Sequence, residues 1–179
     1  MKGIPIRARS ISFLYSGTED RLVLLVDSRG RQRVSILVTR RLVSRLLNAL
    51  ASLLERSSLA ARQAPYPLRG DVVLLEHQGA VQAGAQQAAT APPPASAPEP
   101  QPQLLLVPTL LTAIDISTKP SHFSLTFRDA RQALVTCDLT RAELHRVVKA
   151  LLAKVSEADW AVRVDAAWLE AGQQSTVFN

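Results

Sequence analysis

The strongest constraint on this chain is a repeated pattern rather than repeated residues. A shift of 101 positions lays residues 21–57 on 122–158 without a gap, and seven of the 37 positions are identical. Identity that low carries little weight in a Leu-rich chain. The order of hydrophobic periods carries more, because both segments run strand, strand, capped helix.

The strands come first. Leu22, Leu24 and Val26 alternate and fall on Phe123, Leu125 and Phe127. Val34, Ile36 and Val38 alternate and fall on Val135, Cys137 and Leu139. A period of two puts each triplet on one face of a strand. The turns are 27–31, where Gly30 suits a hairpin, and Arg128-Asp129-Ala130-Arg131. Helices follow at once. Thr39 and Thr140 stand where an N-cap is needed, and Glu143 completes a capping box with Thr140. Behind them run the stripes Leu42, Val43, Leu46, Leu47, Leu50, Leu53, Leu54 and Leu144, Val147, Val148, Leu151, Leu152, Val155. An earlier strand, Arg9–Leu14 in the first half and Leu111–Ile116 in the second, makes each unit β-β-β-α. The expected fold class is α+β: internally duplicated β-β-β-α units, antiparallel meander sheets with one helix each.

The expected organisation is three-part. Residues 1–83 form a basic N-terminal unit with an extension, 84–103 an Ala/Pro/Gln-rich linker, and 104–179 a C-terminal unit with a Trp-containing tail. The run Asp71–His77 reads as the start of a helix in preference to a buried strand. Trp160 and Trp168 are expected to dock on the core.

The second faces of the two sheets differ. Between the triplets the second unit places Ser124, Thr126, Thr136 and Asp138, which suits a solvated face. The first unit places Val23, Leu25, Ser35 and Leu37 there. Val23, Leu25 and Leu37 therefore need a cover: residues 68–83, the Trp tail, or another chain. If another chain supplies it, these three residues form a partner interface.

Charge is also uneven. Residues 1–70 carry 13 Lys/Arg and 4 Asp/Glu, 13 − 4 = +9, and residues 71–179 carry 8 and 11, 8 − 11 = −3. A basic half favours an acidic partner. Arg29, Arg31 and Arg33 on the first hairpin and Arg40, Arg41 and Arg45 at the first helix start would bind anions or nucleic acid if they converge. No interleaved aromatics or recognition-helix motif accompany them.

No motif for catalysis, metal or nucleotide binding stands out. His77, His122 and His145 lie far apart in sequence, and His145 is expected in solvent on the polar face of its helix. Cys137, the one cysteine, reads as a small core hydrophobe and excludes an internal disulfide. Residues 1–7 lack the apolar run of a secretory leader, so a cytoplasmic protein is expected. The sequence thus leads to a non-enzymatic interaction or scaffold protein without cofactor or small-molecule substrate. It self-associates or docks on another protein through the N-terminal unit, without a membrane. A nucleic-acid-associated protein and an assembly factor of an enzyme complex are the alternatives.

Overall fold

The computed structural model describes residues 4–28, 33–90 and 104–174. It is a mixed α+β fold with a seven-stranded sheet and five α-helices among those residues. The first half gives β1 (Ile6–Ser16), β2 (Arg21–Ser28), β3 (Arg33–Val38) and α1 (Arg40–Ser57). Then come α2 (Leu59–Gln63), a 3-10 turn (Tyr66–Leu68) and α3 (Arg69–Thr90). The second half gives β4 (Leu104–Leu110), β5 (Ala113–Thr118), β6 (Phe123–Arg128), β7 (Ala133–Leu139), α4 (Arg141–Glu157) and α5 (Ala167–Gln174). Among the described residues, no helix is long and apolar enough to cross a membrane.

The alternation of the triplets sets the register. Leu22, Leu24 and Val26 stand opposite Val38, Ile36 and Val34. Phe123, Leu125 and Phe127 stand opposite Leu139, Cys137 and Val135. Adding 101 to the rung Leu22↔Val38 gives Phe123↔Leu139, and the same sum holds through Val26↔Val34. The β6–β7 turn needs no glycine. The Asp129 carboxylate accepts from the amides of Arg131 and Gln132, both at 2.7 Å, and those bonds hold its pKa below the usual carboxylate range.

The strand order is β4-β3-β2-β1-β7-β6-β5. Its two ends, β4 and β5, are separated by Leu111 and Thr112 alone. Successive Cα atoms are about 3.8 Å apart, so Leu110 and Ala113 stand within about 11 Å of each other. The sheet must therefore curl until its ends meet. The two linking residues complete the closure: the Leu111 amide donates to the Leu37 carbonyl at 2.8 Å, and the Thr112 amide to the Arg128 carbonyl at 2.9 Å. The run 104–118 acts as one kinked strand shared by β3 and β6. In the same way β1 serves two neighbours. Ile6 and Arg7 pair in parallel with β7, and Ala8–Ser16 pair with β2 across a bulge between Ala8 and Ser10. Closure joins the ends of the sheet, while among the described residues β1 beyond Arg7 pairs with β2 alone.

β1 is parallel to β7 and antiparallel to β2, which is antiparallel to β3. β3 and β7 thus point the same way, and α1 and α4 leave the same rim. Thr39 Oγ accepts from the Leu42 amide, 3.3 Å, to start α1. Thr140 and Glu143 form the full expected box on α4, with the Glu143 carboxylate accepting from the Thr140 amide at 2.7 Å. The stripes of both helices and the inward strand triplets form one hydrophobic core.

α3 and α5 make a further layer on α1 and α4. The helical reading of Asp71–His77 holds, but the helix runs on through residues 84–90, which the sequence assigns to the linker. Ala and Gln are good helix formers, and the first proline comes later. Gly84 lets this stretch pass close to α4, since a Cβ there would stand 2.5 Å from Arg146 Cδ. The rest of the expected linker, 91–103, lies outside the described residues. Trp160 and Trp168 are buried, as expected.

Candidate interaction surface

The register aligns a row of apolar side chains on the sheet face opposite the core. Leu14 stands opposite Val23, Val23 opposite Leu37, and Leu37 opposite Leu110. At about 4.8 Å between strands the row is about 15 Å long. Leu25 lies two residues along β2, beside the row. Leu14 is 50% exposed and Leu110 39%, while Val23, Leu25 and Leu37 are half-buried. None of the five belongs to the hydrophobic core or packs against it.

Both expected intramolecular covers sit elsewhere. α3 packs on α1, α4 and α5. Trp168 faces His77 and His145, and Trp160 faces Tyr15, whose partner in β2 is the inward Leu22. Sequence reasoning found Val23, Leu25 and Leu37 but not Leu14 and Leu110. The signal for Leu14 was its place between Phe13 and Tyr15, where alternation turns it outward.

The surroundings of the row are polar. At one end Asp27 accepts from Ser10 Oγ at 3.0 Å and from Arg33 Nε at 2.8 Å, and the Arg33 bond holds the Asp27 carboxyl below its ordinary pKa. The outer face of the second half carries the charged set Arg7–Asp138–Ser124, with 2.9 and 2.8 Å contacts, and the Arg128–Asp115 pair. This half matches the solvated face read from its Ser, Thr and Asp residues.

Among the described arginines of the expected set, the structure separates Arg33 from Arg40, Arg41 and Arg45. Arg29 and Arg31 lie outside the described residues. Arg33 begins β3 and Arg40 follows its end. At about 3.3 Å per residue, the two are about 20 Å apart. Arg33 is committed to Asp27. Arg40, Arg41 and Arg45 remain together beside one open pocket.

The histidines depart most from expectation. His145 is 1% exposed, not in solvent. α4 is covered on two sides, by the sheet and by α3, so its apparently polar face includes a buried strip. There His77 Nδ1 and His145 Nδ1 are 3.3 Å apart, with Trp168 edge-on to both rings. Burial is the main cause that pushes His145 down to about 3, followed by His77 and Arg141. Burial, then Lys149, also lowers His77. Both rings are therefore neutral at neutral pH, and one Nδ1 donates to the other. His145 Nε2 lies 4.0 Å from the Glu76 carboxylate. That favours the proton on Nε2, leaving His145 Nδ1 as acceptor from His77 Nδ1–H. His145 Nε2 and Trp168 Nε1 are buried without a hydrogen-bond partner.

Glu76 is held firmly. Arg141 donates to its carboxylate at 2.6 and 3.2 Å, and also to Ser57 Oγ and the Leu54 carbonyl, both at 2.7 Å. One guanidinium thus ties the end of α1, the middle of α3 and the start of α4 together. The cluster has no third His or Cys and lies under α3. Among the described residues, no group of three or more His, Cys, Asp or Glu is placed to hold a metal ion. Cys137 is buried, and burial pushes its thiol up to about 11, which leaves it protonated and a poor nucleophile.

No family model, curated protein or solved structure matches this chain. The functional reading therefore rests on the surface itself.

Proposed function

We propose that this chain is a non-enzymatic interaction or scaffold protein of the cytoplasm. It self-associates, or docks on another protein, through the outer sheet face of its first half. Val23, Leu25 and Leu37 form the centre of the interface, with Leu14 and Leu110 at its flanks. One observation carries the reading: four apolar side chains aligned across β1, β2, β3 and β4 on a face that the core does not use. Fully burying such a side chain contributes about 1.5–3 kcal/mol. The half-buried residues retain part of that gain for a partner. We also propose that the halves are copies of one β-β-β-α unit. The shared register of β2 on β3 and β6 on β7 supports that reading. On this view the copies have diverged on their outer faces, one toward solvent and one toward a partner.

Light scattering after size-exclusion chromatography tests the self-associating form. Wild-type protein should elute above the 19.5 kDa of one chain at micromolar concentration. Leu25→Asp and Leu37→Asp should each return it to a monomer with an unchanged far-UV spectrum. A wild-type protein that is strictly monomeric and indifferent to both changes would remove self-association and leave only a different partner.

A further inference from the structure

We propose that the open pocket at the start of α1 is an anion site that takes a short oligophosphate group. The site is separate from the outer-face row, and either proposal can fail alone. Arg40, Arg41, Ser44 and Arg45 of α1, with Ala161 and Val162 beyond α4, line a volume of about 590 Å3. Arg40 is fixed by donation to the Ala161 carbonyl at 3.1 Å, and the Asp20 carboxylate feels its charge. Arg41 and Arg45 are one helical turn apart and share a face. Among the described residues, neither has a hydrogen-bond or ion-pair partner.

Helix building does not account for this charge. Cations near a helix N-terminus oppose the macrodipole. The first turn of α1 has no acidic residue to offset them, whereas α4 has Glu143 there and spends its first arginine, Arg141, on Glu76. α1 instead gathers three guanidiniums, two of them uncompensated, around one concavity. An anion seated there relieves that repulsion.

The lining selects the class of anion. Guanidinium forks match the paired oxygens of phosphoryl groups. The volume falls within the range of small-ligand sites. Among the described residues, no aromatic ring lines the pocket to stack on a base. The ligand is therefore held by two or three linked phosphoryl groups, from a free oligophosphate or from a nucleic-acid backbone.

The experiment is calorimetric titration of the full chain at low salt with inorganic tripolyphosphate and, separately, with oligothymidylate. Wild type is compared with Arg41→Gln/Arg45→Gln and with the control Arg56→Gln/Arg62→Gln, whose arginines lie outside the pocket. Saturable binding should weaken by at least about tenfold in the pocket variant and by less than about twofold in the control. Tighter binding of tripolyphosphate assigns the site to free oligophosphate. Tighter binding of oligothymidylate, with the same dependence on Arg41 and Arg45, assigns it to a backbone. The ligand-free pocket variant should melt at or above the wild-type temperature, because it loses charges that oppose the helix dipole. No saturable binding of either probe, equal weakening in the control, or a lower melting temperature of the ligand-free pocket variant would overturn the proposal.

Discussion

At the scale of single residues, the buried imidazole pair decides how the protein responds to acid. Both histidines have folded pKa values below the unfolded value of about 6.5. A base depressed in the folded state binds more protons when unfolded, so its contribution is fully present above about pH 6.5 and is lost as pH falls. His145 extends that loss toward about pH 3. Between pH 6.5 and 4.5 the carboxylates add little, and urea unfolding should show a decline on the order of 1–2 kcal/mol. His145→Leu should flatten this slope whatever its effect on absolute stability. An equally steep slope in that variant would show that the pair is not its source. Cys137 gives a second expectation at this scale. Its buried, protonated thiol should resist alkylation at pH 8 in native protein and react at once in denaturant. Rapid native labelling would contradict the burial.

At the scale of elements, caps and helix ties separate what was legible in the sequence from what was not. The strand triplets, both threonine caps and the contrast between the outer faces follow from local periods, and local periods survive folding. Thr140→Ala removes a reciprocal box and should cost about 1–2 kcal/mol, more than Thr39→Ala, where one 3.3 Å bond is lost. Chemical denaturation of the two variants checks the order. The buried face of His145 and the role of Arg141 were not legible, because both depend on α3 folding back over α4 from a distant part of the chain. Arg141→Lys should recover little of the stability lost in Arg141→Ala. A single ammonium cannot reach Glu76, Ser57 and the Leu54 carbonyl in the same geometry. Full recovery by lysine would reduce the tie to simple charge. The helical stretch 84–90 was also missed. Its composition resembles a spacer, yet it has enough helix propensity to continue once α3 is docked.

At the scale of the whole molecule, the closure of the sheet joins the two halves into one body. The alternation of Leu22–Val26 and Phe123–Phe127 predicts hairpins, but it does not say which strand each hairpin meets next. The answer lies in two strands that each change partner along their length: β1 beyond Arg7 and 104–118 past Leu111. Neither switch has a sequence period. The two partner switches join the ends of the sheet, and the helices pack on its core side. The outer row across β1 to β4 is an aligned apolar surface that the core does not use. The central claim is that this row is where a second chain binds. Methyl NMR on Leu- and Val-labelled protein over a concentration series tests it most directly. The account predicts that Leu14, Val23, Leu25, Leu37 and Leu110 shift together as concentration rises, while core methyls such as Leu47 and Leu151 stay fixed. A series in which the row does not move, or in which the moving methyls lie on the helical side, would contradict it.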